Sequence, residues 1–79
     1  MKLAEAVGKR TKELLFEKNI TQYRLTKITC LNEKTISDLL KGRTTDVKFS
    51  TIYLITEALN MTLIEFFNSP LFNKDNIEI

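Results

Sequence analysis

The chain has no histidine, a single cysteine (Cys30) and a single proline (Pro70) among its 79 residues. Without histidine the usual nitrogen and sulfur metal sites cannot be assembled from one chain, and a lone cysteine excludes an internal disulfide. This usage fits a reducing cytoplasm. No glycine-rich phosphate loop appears, the acidic residues are scattered, and no imidazole exists to activate Cys30 or any hydroxyl, so neither an enzyme nor a cofactor is expected. No run approaches the ~18 apolar residues of a membrane span, and the opening MKLAEAVGKR is charged and amphipathic rather than a signal core. Asn60-Met61-Thr62 matches a glycosylation acceptor, to which a cytoplasmic chain gives no role.

What is present suits one small globule. Hydrophobic residues make up 43% and charged residues 28% of the chain. That balance is too apolar for disorder, and a chain of this length buries only ~60% of its unfolded surface. Such a core leaves little room for a small-molecule pocket, and none is expected. Net charge is +2 but unevenly spread: residues 1–48 carry 11 basic and 6 acidic side chains, residues 49–79 carry 1 and 4. A basic front half fits an anionic partner, and an unevenly solvated surface fits equally well.

The apolar spacing predicts helices throughout. Leu3, Val7, Leu14 and Leu15 recur at helical intervals over residues 3–18, after which Asn19 suits a left-handed cap. Thr21 suits the N-cap of a second, two-turn helix with Leu25 and Ile28 inward. Cys30 and Leu31 make a turn. Asn32 then caps a third helix with Ile36, Leu39 and Leu40 inward and Gly42 as its stop. After a polar loop, Phe49, Ile52, Tyr53, Ile55, Thr56 and Leu59 mark a fourth helix ending at Asn60. Thr62 and Glu65 have the spacing of a capping box for a short fifth helix reaching about Asn68. Ser69-Pro70 closes the globule.

Ile20 to Arg43 therefore outlines two short helices about a tight turn. Thr21-Gln22, Leu25, Leu31, Thr35-Ile36-Ser37, Leu39 and Gly42 fall at the spacing of the Cro and phage-repressor, or XRE-type, helix-turn-helix family. Ala58 to Phe67 resembles that family's junction between fourth and fifth helices, so the resemblance covers roughly residues 4 to 68. It implies an all-α, five-helix lambda-repressor-like fold that binds double-stranded DNA. The second helix would abut the backbone, and the third, about Glu33 to Lys41, would enter the major groove.

The resemblance places base readers at Glu33, Lys34 and Asp38, with Ser37 on the same outward face. Lysine can donate to guanine, whereas a carboxylate can accept from cytosine N4. Gln22 matches the family glutamine that bonds a phosphate, and Arg24, Lys27, Lys41, Arg43, Thr44, Thr45 and Lys48 are the remaining phosphate candidates. Glu33 and Asp38 offset Lys34 and Lys41, which shifts the burden of affinity to those flanking groups. Asp38 either rejects sites that present no cytosine or simply pairs with Lys34 one turn away, and both readings stand.

Departures from the family pattern are equally specific. An interior arginine–glutamate pair common in the family is replaced here by Leu15 and Leu40, which are expected to meet in the core, since exchanging both partners of a buried pair for hydrophobes can be neutral or stabilising. Cys30 stands at a turn position usually given to glycine, which accepts positive φ freely, so either strain at that position or a reshaped turn is expected. Thr26 and Thr56 replace small alanines, and their hydroxyls are expected to bond the carbonyl one turn back.

Residues 1–68 are thus expected to form the DNA-binding unit and 69–79 a tail. Phe66 and Phe67 before it and Leu71, Phe72, Ile77 and Ile79 within it are more apolar material than a short tail needs, and Phe67, Leu71, Phe72, Ile77 and Ile79 point to a homodimer contact or to strand addition through Ile77-Glu78-Ile79. The alternative is that Phe66 and Leu71 finish the monomer core, and the dimer contact is the reading favoured. The function expected is transcriptional regulation, by repression, from a two-fold dimer with half-sites about 34 Å apart. The alternative is a protein-interaction module on the same fold, such as an antitoxin or an anti-repressor partner.

Overall fold

A computed structural model describes residues 1–78. Five α-helices follow in order, α1 (Leu3–Lys18), α2 (Gln22–Thr29), α3 (Glu33–Leu40), α4 (Phe49–Ala58) and α5 (Leu63–Phe67), and a 3-10 turn, Pro70–Phe72, ends the ordered elements. Among the described residues there is no strand, and no helix is long and apolar enough to cross a membrane.

The helix ends lie close to where the side-chain chemistry puts them. Thr21 Oγ1 accepts from the Arg24 amide at 3.1 Å, and Asn32 Oδ1 accepts from the Lys34 amide at 2.8 Å. Thr62 and Glu65 exchange side-chain and backbone bonds in a complete capping box. Asn19 and Gly42 take positive φ, as suits the caps read for them, and Cys30 does so too, so the turn keeps the left-handed residue rather than being reshaped. Asn60 does so as well, at φ 56, and it follows a helix that stops at Ala58. The early stop arises because the Met61 amide bonds the Thr56 carbonyl at 3.0 Å, closing the turn.

The core joins Val7, Leu14 and Leu15 of α1, Leu25 of α2, Ile36, Leu39 and Leu40 of α3, Ile52 and Ile55 of α4, Leu59, and Phe66 of α5. Leu15 and Leu40 share this one cluster. Hydroxyls that enter the interior are satisfied locally: Thr11 donates to the Val7 carbonyl, and Thr56, fully buried, donates to that of Tyr53 at 2.7 Å. Thr26 donates to the Gln22 carbonyl at 3.0 Å. Each bonds back one turn, which removes the cost of an unpaired buried hydroxyl.

Four residues expected inward are exposed instead: Leu3, Ile28, Phe49 and Tyr53. Leu3 opens its helix and has no preceding turn to cover it. On α2 the buried stripe is Leu25 and Thr29, which lie closer in helical azimuth (about 40°) than Leu25 and Ile28 (about 60°), and this rotation turns Ile28 to solvent. On α4 the stripe through Ile52, Ile55 and Thr56 is buried, leaving Phe49 and Tyr53 on an adjoining open face.

One close approach sets the position of α3. Gly8 of α1 lies so near the Leu39 carbonyl that any side chain there would overlap the oxygen. The absent side chain lets α1 and α3 pack backbone to backbone.

Candidate nucleic-acid interface

The turn between α2 and α3 is built by three residues. Cys30 adopts φ 57, ψ 19 and its amide reaches the Thr26 carbonyl, ending α2. Thr29, buried, donates to the Leu25 carbonyl at 2.8 Å while its oxygen accepts from the Leu31 amide at 3.3 Å. Asn32 then starts α3. Thr29 thus ties the end of α2 to the residue that redirects the chain. Its role was not read from the sequence, although a threonine in the last turn of a short helix is a recognisable local signal.

Glu33 and Lys34 are exposed on α3, and Ser37 and Asp38 are half-buried on the same face. Lys34 Nζ donates to Asp38 Oδ2 at 2.8 Å. Of the two readings of Asp38, the i,i+4 pair is therefore formed. The hydrogen bond from Lys34 holds the Asp38 carboxyl below its ordinary range, outweighing partial desolvation, with the charges of Lys34, Arg43 and Lys41 adding to the effect.

The phosphate candidates lie on α2 and at or beyond the end of α3. Gln22, Arg24, Lys27, Lys41, Arg43, Thr45 and Lys48 are exposed, and Thr44 is half-buried. Among the described residues the ion pairs are Met1–Glu78, Lys9–Glu5, Arg10–Glu13 and Lys34–Asp38, and none involves Arg24, Lys27, Lys41, Arg43 or Lys48. Gly42, at φ 73, turns the chain out of α3, and the Arg43 amide bonds the Asp38 carbonyl at 2.8 Å. Thr44 and Lys48 then line a cleft of about 390 Å³ together with Cys30, Asn32 and Thr35. The loop beyond α3 is thereby brought beside the turn that precedes it. Tyr23, a residue not singled out in the sequence, lies exposed on α2 with the Lys27 ammonium 5.2 Å from its ring centre. This stacking restrains the lysine at the α2 surface.

The residues expected at a dimer contact are divided. Phe67 and Phe72 are half-buried against the core and, with Phe66, form a trio of rings with centres 4.9 to 6.2 Å apart. Leu71 is half-buried and borders a shallow surface of α1 that includes Phe16. Ile77 is half-buried too, and next to it the Glu78 amide donates to the Met1 carbonyl at 2.8 Å while the Met1 ammonium donates to the Asn76 carbonyl at 2.9 Å. The amide that strand addition would offer to a partner is thus engaged within the chain. Ile79 lies outside the described residues.

The open apolar surface is elsewhere. Phe49 and Ile64 are 67% and 83% exposed, and with Leu63, Phe67 and Asn68 they border a shallow groove of about 460 Å³. The end of α5 is held by Arg10, whose guanidinium donates to the carbonyls of Phe66 at 2.7 Å and Glu65 at 3.0 Å. A cation at these terminal carbonyls of α5 also complements the helix dipole.

The family model for the Cro/C1-type helix-turn-helix DNA-binding domain matches residues 10–69. Two solved structures share the fold at a TM-score of 0.77. One is the restriction-modification controller protein C.Esp1396I as a tetramer in complex with its natural 35 base-pair operator, 24% identical, with 85% of this chain and 87% of that chain covered. The other is a tyrosine-to-phenylalanine mutant of the same controller, 25% identical, with coverage of 85% and 86%. No curated protein matches.

Proposed function

The chain belongs to the Cro/C1-type helix-turn-helix DNA-binding family, and from that premise we propose that it is a sequence-specific transcriptional regulator which binds operator DNA as a two-fold dimer. The observation that carries this reading is a set of five exposed cations, Arg24 and Lys27 on α2 and Lys41, Arg43 and Lys48 at and beyond the end of α3, all outside every ion pair among the described residues. Likeness to a controller protein crystallised on its operator supports it.

In this reading α3 lies in the major groove with Glu33, Lys34, Ser37 and Asp38 toward the base edges. Gln22 at the start of α2, with Arg24, Lys27, Lys41, Arg43, Thr44, Thr45 and Lys48, meets phosphates on either side. Residues 1–68 form the DNA-reading unit. The dimer forms through the Phe49, Ile64 and Phe67 surface, because Phe72 and part of Phe67 already serve the monomer core. Of the tail, Phe72 packs against the monomer core and Glu78 bonds back to Met1. Repression by occupying a promoter is the regulatory outcome the reading implies.

Selection of bound sites from random DNA at physiological salt tests it. An enriched two-fold site with half-sites about 34 Å apart is expected. Arg43→Ala should weaken all sites alike and lower the log-log salt slope by about 0.9. No enriched sequence, or binding indifferent to salt, would sink the proposal.

A further inference from the structure

We propose that Lys34 and Asp38 act as one unit that reads a single G·C base pair across both strands. The inference rests on the DNA-binding reading above and deepens it.

Helix stability does not account for the pair. Lysine preceding aspartate is the less favourable order for an i,i+4 pair, and each charge opposes the helix dipole, with Lys34 in the first turn of α3 and Asp38 in the last. Lys34 stands in solvent at 82% exposed while Asp38 is 27% exposed, and an ion pair whose cation is in water contributes little.

The geometry fits a base pair. Nζ and Oδ2 lie 2.8 Å apart. Guanine O6 and cytosine N4 are hydrogen-bonded to each other in a G·C pair, about 2.9 Å apart. They present an acceptor and a donor side by side on the major-groove edge. Laid against that edge, the ammonium donates to O6 while the carboxylate accepts from N4, so four atoms alternate donor and acceptor around a ring. The capacity exists: one ammonium N–H is taken by Asp38 and two remain, and the carboxylate keeps free lone pairs. Alone, Lys34 would donate to any exposed acceptor, including thymine O4, and Asp38 would be repelled by the phosphates. Paired, they lose net charge and demand both a guanine and its cytosine.

Site selection with wild-type protein, Lys34→Ala, Asp38→Ala and the double variant decides the matter. Each single change should relax preference at the same base pair, by about ten- to a hundredfold, and the double variant should relax it no further. Asp38→Ala should at the same time tighten binding to unselected DNA. Relaxation at two different positions would show independent readers and overturn the pair. Unchanged preference with altered affinity would leave only a surface ion pair and overturn it too. If wild-type protein selects no site, the DNA-binding reading itself falls, and the pair with it.

Discussion

The α2–α3 and α4–α5 pairs are built alike and dressed oppositely. Each joins two short helices through a non-glycine residue in the left-handed region, Cys30 at φ 57 and Asn60 at φ 56. Two residues later in each case, a side-chain N-cap starts the second helix, Asn32 or Thr62. Yet the first pair turns Arg24, Lys27, Glu33 and Lys34 outward, whereas the second turns out Phe49, Tyr53 and Ile64. Local chemistry sets the backbone; the residues left uncovered set the partner. A charged face retains its water until it meets phosphate and base edges, and an apolar one gains by being covered.

The largest effect expected is on what holds the first pair in place. Gly8→Ala drives a methyl into the Leu39 carbonyl oxygen. It should cost about 3 kcal/mol in chemical denaturation. Stability within about 0.5 kcal/mol of wild type would mean that α1 and α3 readily shift apart.

Next is the apolar face of the second pair. Ile64→Asp leaves the monomer folded, since the side chain is exposed and an acid suits the start of α5. It should weaken self-association at least tenfold by sedimentation. An unchanged mass, with dimerisation lost instead in a chain ending at Ser69, would move the contact to the tail.

The caps test whether the two pairs are equally dependent on local bonds. Thr62→Ala and Asn32→Ala should each cost about 1 kcal/mol. They differ in pH response. The Thr62 backbone and side-chain bonds hold the Glu65 carboxyl below its ordinary range, with Lys18 adding a smaller effect against partial desolvation. A depressed carboxylate contributes stability that is present above its unfolded value and lost as pH falls through the folded one. Acid titration of Glu65→Gln should therefore show a shallower loss below about pH 4 than wild type. The smallest effect concerns the shared left-handed turn: Cys30→Gly should stabilise by about 0.5 to 1 kcal/mol in thermal melts, because glycine takes positive φ without strain.

Much of the fold was legible before the structure. Thr21, Asn32 and the Thr62–Glu65 box mark helix starts, and Asn19, Cys30 and Gly42 mark their ends, because each acts on amides or carbonyls within a few residues. The Lys34–Asp38 bond, one helical turn long, was legible as one of two readings of Asp38, and the structure forms it. The candidate site was legible as a set of polar and charged residue types, most of which the structure leaves exposed, with Ser37, Asp38 and Thr44 half-buried. Less was legible wherever one helix must choose a face. Ile28 and Thr29 are both plausible inward residues of α2, and only the position of its neighbours selects Thr29. Phe49 and Tyr53 looked like core because they are large and apolar, but the core is closed by Ile52, Ile55 and Phe66 without them.

The sequence by itself determined the number and order of the helices, their caps and turns, and the charged character of α3, all interactions spanning about four residues or fewer. The tertiary structure alone decided that Gly8 admits the backbone of α3, that Arg10 anchors the end of α5, and that an apolar groove stays open at Phe49 and Ile64. Those outcomes depend on atoms brought together from distant parts of the chain, where the space one element leaves is defined only by the packing of the others.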